Sequence, residues 1–399
     1  MSWLPGWILV IPILTFLVFV HELGHFAVAK KLGIKVTEFG FGFPPRIWGF
    51  KRGETLYSIN IIPLGGFVKM VGEEDPSEKR SFAHQPITHR MAVLLAGPFM
   101  NLVIPILIFT ILLALPHDKH IGIVTVGSVA PGSPAVEAGI RPGDAILGVN
   151  GITIDNHVDL VQQIQKLKGQ ETELTLRRNV SSPISGLTSS PEFSHTETVL
   201  LTPRKSPPNL SVVAYVTDPS FEVSLEDAKS YDKSLEIGDT LTQGAVGVLI
   251  GTSGTKVIRD KIPVWKALPQ SLTRIVDTIT FTFVGLSGWI SGGDDPGLAG
   301  PIGIAQVTGE VANIGITPVL ELTALISISL ALVNILPIPA LDGGRLLFIL
   351  IEGARGGKRI SPRIEGIIHM AGFAALIGLI VVMSYFDVLR IVSGGTFIQ

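Results

Sequence analysis

Residues 7–20 form an unbroken apolar run, which flanking residues extend to about 3–29, and it passes directly into His21-Glu22-Leu23-Gly24-His25. No basic residue precedes the run and no small-x-small cleavage site follows it, so the pattern predicts a retained spanning helix rather than a cleaved signal peptide. Pro12 would bend that helix, which lipid tolerates. Residues 91–115 are long and apolar enough for a second span, and residues 317–341 and 367–386 for a third and fourth. Residues 267–290 have another pattern. Leu268, Leu272, Ile275, Ile279, Phe283, Leu286 and Ile290 follow one helical stripe, while Arg274, Asp277 and several threonines fall elsewhere. This predicts an amphipathic helix lying on the membrane rather than crossing it.

Between the first two spans, residues 36–71 are rich in glycine and aromatic side chains. Residues 56–61 alternate like a strand that 67–70 continue beyond Gly65-Gly66, and 73–90 read as a polar, exposed loop. From 121 to about 205 the composition turns soluble. Alternation at 121–126, a tight turn at 139–144, helical spacing at 158–167 and paired strands at 171–177 and 196–202 predict a small folded domain, with a Ser/Pro-rich loop at 180–194. Residues 206–243 are acidic and weakly patterned. Basic residues follow the first span (Lys30, Lys31, Lys35), precede the second (Lys79, Arg80, Arg90) and follow the third (Arg345, Arg355, Lys358, Arg363). The positive-inside rule makes all three patches cytoplasmic. Four spans satisfy this, with residues 116 to about 316 outside; a fifth span at 267–290 would set Asp342 on the opposite side from His21.

Composition agrees with this layout. Of 399 residues, 46% are hydrophobic and 16% charged, with a mean hydropathy of +0.48, which indicates a membrane protein with a soluble insert. A net charge of −2 gives no general attraction to nucleic acid. Cysteine is absent, so disulfides and thiolate metal sites are excluded, and any metal falls to His, Asp or Glu.

His21 and His25 stand four residues apart, on one helical face, so both imidazoles can reach one zinc ion, with Glu22 beside it to take a proton from water. Ionisable groups inside a span are costly and mark function by default. A catalytic zinc takes three protein ligands. From residue 7 to His21 is about 21 Å of helix at 1.5 Å per residue, on the cytoplasmic side of the midplane. Asp342, at the cytoplasmic end of the third span, lies at a comparable level, where Pro337, Pro339, Gly343 and Gly344 loosen the helix. Alone it is a ligand or a water-facing helix end; the matching depth favours the ligand.

The HExxH helix, the Asn334-x-x-Pro337-x-x-x-x-Asp342-Gly343 run and the segment 129–151, which resembles the bacterial PDZ pattern, together resemble the site-2 protease family in its RseP-type branch. Gly97-Pro98-x-x-Asn101 and Gly300-Pro301-Ile302-Gly303-Ile304 match as well. The resemblance covers nearly the whole chain. It implies a polytopic α-helical membrane protein with four spans, a membrane-associated β-hairpin region and an inserted extracytoplasmic PDZ-like domain, in the bacterial cytoplasmic membrane. In these terms the chain divides into a first transmembrane helix (1–35), β region (36–72), cytoplasmic loop (73–90), second helix (91–116), PDZ-like domain (121–205), a linker whose structure the sequence leaves open (206–264), interfacial helix (265–291), third helix (317–344) and fourth helix (366–387).

The resemblance further implies Zn2+ as cofactor, His21, His25 and Asp342 as its ligands, Glu22 as general base and Asn334 as an assisting residue. Asn334 would donate to the developing oxyanion or make an interhelical contact. Implied substrates are single-span membrane proteins already trimmed outside, or signal-peptide remnants. Gly65 and Gly66 would let a straightened substrate approach a sheet edge, or simply shape a hairpin. Some members carry two PDZ domains in tandem; one clear copy is found here, a peptide binder or a size gate, with the gate favoured by analogy. The alternatives from other classes are a catalytically silent PDZ scaffold and a zinc carrier. His84, His89, His117, His120, His157 and His195 are read as ordinary surface or loop residues. His369, in the last span, is read as an interhelical hydrogen-bonding residue or as a support behind the metal ligands.

Overall fold

A computed structural model describes residues 6–73, 77–179, 193–218, 221–290 and 299–393. A 3-10 turn (Gly6–Leu9) leads into α1 (Val10–Lys31), β1 (Val36–Arg52), β2 (Thr55–Met70) and α2 (Ile87–Ala114). Next come β3 (His117–Val129), α3 (Pro134–Glu137), β4 (Ala145–Val149), β5 (Ile152–Thr153), α4 (His157–Lys166), β6 (Thr172–Asn179) and β7 (Phe193–Leu201). They are followed by β8 (Asn209–Val213), β9 (Glu222–Ser224), α5 (Leu225–Tyr231), β10 (Thr240–Thr242) and β11 (Val248–Asp260). Then come α6 (Val264–Ile290), α7 (Pro301–Ile314), α8 (Ile316–Ile335), α9 (Asp342–Ala354) and α10 (Pro362–Val392). The chain divides into two compact units, 1–115 with 261–399, and 116–260.

In the helical unit, α1, α2, α8 and α10 are the described helices long and apolar enough to cross a membrane. α6 is amphipathic, but its stripe does not divide as expected. Its buried seam is Ala267, Ser271 and Ile275, one helical turn apart, with Ile275 packed against Phe109 of α2 and Ala324 and Ile328 of α8, whereas Leu268, Leu272 and Phe283 stay exposed. Small side chains at 267 and 271 allow close approach to α2, and Thr110 Oγ1 donates to Ser271 Oγ at 3.0 Å.

The third apolar segment is shorter than expected. α8 stops at Ile335, because Pro337 has no N–H and forces Leu336 into extended backbone (ψ 144°). Asp342 therefore opens a new helix, α9, instead of closing the span. Gly343 and Gly344 are required there, since a Cβ on either would strike the carbonyls of residues 335, 336 and 338.

α7 was not foreseen. Its first amides, like those of any helix, lack intrahelical acceptors. The buried carboxylate of Asp387 on α10 supplies them, accepting from Gly300 N at 3.1 Å and Gly303 N at 2.8 Å. The positive end of the helix dipole favours a carboxylate at this place.

The β region is more than a hairpin. Residues 36–41 of β1 lie between the two halves of β2, and 46–52 fold back on 55–60, giving a strand order of 66–70, 36–41, 56–59, 46–52. Phe39 fastens this sheet to α1, stacking on Phe26 at 4.7 Å. The far end exposes Ile47, Trp48, Phe50 and Ile61, an apolar rim of the kind that meets lipid. The stretch 73–90 is not an exposed loop throughout: Ser81, Phe82 and Ala83 are buried, and Arg90, in the first turn of α2, pairs bidentately with Glu352 of α9 at 2.9 and 2.7 Å.

In the other unit, β11-β3-β4-β6-β7 form one antiparallel sheet, with β5 beside β4. Leu160 and Ile164 of α4 close its core over Val124, Ile146, Leu174 and Leu176. The domain does not end at 205. β11 pairs along β3, and Val246 enters the same core. Residues 206–243 are not a linker either, for β10-β8-β9 and α5 enclose their own core of Leu210, Val212, Val223, Ala228 and Leu241. Strands of three to five residues are too short to show a period. Most of the expected Ser/Pro-rich loop lies outside the described residues, and its last two residues belong to β7.

Removing the Asp387 carboxylate leaves two buried amides unpaired. Asp387→Ala should lower stability by about 1–3 kcal/mol, seen as a reduced thermal midpoint in detergent, with Asp387→Asn less affected. An unchanged midpoint in the alanine variant would show that the carboxylate does not hold α7.

Candidate metal centre

Three nitrogen and oxygen atoms from two distant parts of the chain meet beside α2. α1 presents His21 and His25 one turn apart, both buried, with ring centroids 4.8 Å apart. Asp342, the first residue of α9, places Oδ2 2.9 Å from His21 Nε2 and 3.2 Å from His25 Nε2, and the two nitrogens are 3.1 Å apart. A point about 1.8 Å from all three atoms exists, and zinc at about 2.0–2.1 Å in tetrahedral geometry needs them only slightly further apart.

The outer nitrogens test whether these imidazoles suit a metal. His25 Nδ1 donates to the Val93 carbonyl at 2.7 Å, which turns the Nε2 lone pair towards the cluster. His21 Nδ1 faces the Asn101 amide at 3.3 Å, and Asn101 Oδ1 is buried without a hydrogen-bond partner. Turning that amide by 180° sets Oδ1 to accept from Nδ1–H, so that His21 Nε2 also offers a lone pair. Gly97 on α2 makes room, since a Cβ there would fall on both Nε2 atoms. Neutral imidazoles and a carboxylate around a small gap are the donor set of a zinc site.

Glu22 stands within the same group: its carboxylate and the two histidines offer donor atoms within 4.8 Å of one another. Asp342 Oδ2 lies 2.9 and 3.2 Å from the two nitrogens, and among the described residues no hydrogen bond joins Glu22 to either imidazole. The Val68 backbone N–H donates to Glu22, tying it to the strand 66–70. Glu22, His25 and Asp342 open on a cavity of about 210 Å³ whose other walls include Phe67, Val68, Glu73 and Arg345.

The remaining expected residues fall differently. Asn334 is half-buried in the last turn of α8, and no hydrogen bond among the described residues joins it to the cluster; Asn101 makes that contact. Gly65 has φ +76° and a Cβ on it would meet Val18, while one on Gly66 would meet Phe19 and the Gly40 carbonyl. Both glycines thus let β2 lie on α1, and their replacement would disturb packing whether or not substrate docks there. Asn101 and Gly97 were visible in the sequence as a motif, but their contact with His21 and His25 was not.

Residues 9–379 match peptidase family M50. A Clostridium acetobutylicum protein bearing a zinc metalloprotease name is 33% identical, with 95% of this chain and 97% of the relative covered. Zinc metalloprotease RasP of Shouchella clausii is 27% identical over 96% of this chain and 98% of its own. RasP of Geobacillus kaustophilus is 28% identical over 93% and 95%.

Asn101→Ala removes the support of His21 without touching a ligand atom. Zinc affinity, measured by competition with a chelator, should fall about 10–100-fold. Wild-type affinity would show that the amide does not orient the imidazole.

Proposed function

This chain belongs to peptidase family M50, a zinc metalloprotease of the site-2 type, and on that premise we propose that it hydrolyses peptide bonds within transmembrane segments of single-span proteins already trimmed outside. The observation that carries the reading is the meeting of His21, His25 and Asp342 beside Glu22 at a small polar cavity among helices long enough to span. By the positive-inside rule, that cavity lies towards the cytoplasm and residues 116 to about 316 lie outside.

His21, His25 and Asp342 would hold the zinc, which when bound polarises the scissile carbonyl and makes water a better nucleophile. Glu22 takes one proton from the attacking water as its oxygen joins the carbonyl carbon. It then gives that proton to the leaving amine as the C–N bond breaks, so one water is consumed and the carboxylate is restored. Asn334 remains a candidate donor to the oxyanion, if substrate binding brings the reacting carbonyl within its reach.

A spanning helix hides its peptide bonds in its own hydrogen bonds, so the substrate has to be straightened. Among the described residues the strand 66–70 pairs on one side, with β1, and Phe67, Val68 and Met70 border the cavity. Adding the substrate to this edge supports the docking role better than direct contact with Gly65 and Gly66 does. Leucine and isoleucine side chains of the outer unit line a groove of about 140 Å³ between α4 and the edge strand β11. That groove supports a PDZ-like module able to take a peptide by strand addition, with a gate against bulky ectodomains as its alternative use.

The competing scaffold reading needs no proton acceptor. In Glu22→Gln, zinc content should stay at the wild-type level while cleavage of a labelled single-span substrate falls about 10²–10⁴-fold. Equal cleavage by both proteins would remove Glu22 from the reaction. Absence of cleavage by zinc-loaded wild type across several trimmed substrates would favour the scaffold.

A further inference from the structure

We propose that His369 is a positioning residue that holds Asp342 in place through the loop between α8 and α9. The inference rests on Asp342 being a zinc ligand.

Residues 336–341 carry Asp342, and much of their shape is unusual. Ala340, two positions before the ligand, has φ +81°, a left-handed conformation that a non-glycine residue does not hold without external support. The support comes from α10. Ala340 N–H donates to His369 Nδ1 at 2.9 Å. An accepting Nδ1 places the ring proton on Nε2, so the bond fixes one tautomer of His369. One turn further along α10, Gly372 lies so close to Pro339 that a Cβ there would strike its ring and carbonyl. The His369 ring also contacts Phe348 of α9, with centroids 5.4 Å apart. One imidazole therefore touches the chain both before and after Asp342.

The consequence is geometric. With the acceptor gone, the Ala340 amide loses its partner and the residue has little reason to stay at positive φ. The loop relaxes, and Oδ2 leaves its place 2.9 and 3.2 Å from the two histidine nitrogens. His21 and His25 sit on α1 and are not touched by this change. Loss should thus appear as weaker and distorted metal binding rather than as a collapsed bundle.

The test uses the full chain in detergent, as wild type, His369→Leu and His369→Asn. Leucine keeps bulk beneath Phe348 but offers no acceptor; asparagine places Oδ1 near the position of Nδ1. Zinc affinity is read by chelator competition, ligand geometry by the visible absorption of the cobalt-substituted protein, and folding by the thermal midpoint of the metal-free protein. His369→Leu should bind zinc about 10–100-fold more weakly with shifted cobalt bands, and His369→Asn should recover most of that loss at a similar metal-free midpoint. Wild-type affinity and cobalt bands in His369→Leu would overturn the inference alone, as would an asparagine variant as weak as the leucine one. A wild-type chain without zinc affinity would overturn the metal reading and this inference with it.

Discussion

Three polar side-chain atoms held about 3 Å apart inside an apolar helical unit are the constraint on which the surrounding structure depends. Without a cation, two imidazoles and a carboxylate at that depth are expensive to bury. With one, each has its partner. The neighbouring sequence is arranged around that grouping. Gly24 lets α1 cross α2 against the Ala96 carbonyl, and Gly97 leaves the space that a side chain would take from the two imidazoles. The Val93 carbonyl and Asn101 occupy their outer nitrogens, and Ser327 of α8 binds the Asn101 backbone carbonyl at 2.7 Å. α2 is thus the wall against which the two imidazoles of α1 and the carboxylate of α9 are set.

The same constraint explains why the chain gives up regular structure in one place. A carboxylate at the end of an unbroken spanning helix would point where that helix dictates. Ending α8 at Ile335 and restarting at Asp342 allows the carboxylate to be aimed by a loop, with the following glycines packed under preceding carbonyls. The β region meets the cluster from another side, through the Val68 amide on Glu22.

Much of this could be read from the residues alone, because it depends on local spacing. His21 and His25 share a face at any helical i, i+4 spacing, and four apolar runs of sufficient length stand out by composition. What could not be read are contacts between segments far apart in sequence. Asp387 capping α7 across 87 and 84 positions, and Asn101 reaching His21 across 80, leave no periodic trace. Pro337 was seen as loosening the third span, but the close packing of Gly343 and Gly344 against the carbonyls of residues 335, 336 and 338, where the helix restarts, left no trace in the residues. The small sheet within 206–243 was missed because its strands are shorter than one clear alternation. Gly65 and Gly66 fitted substrate approach and a shaped hairpin equally well in the sequence; the neighbours that a Cβ there would meet, Val18 and Phe19, could not be read from it.

The most direct test of the metal centre is zinc-edge X-ray absorption on the purified full chain, with metal content measured on the same sample. The account predicts one zinc per chain with four light-atom ligands at about 2.0–2.1 Å, two of them imidazoles. A chain that retains no zinc, or a bound zinc whose shell lacks the imidazole pair, would contradict it.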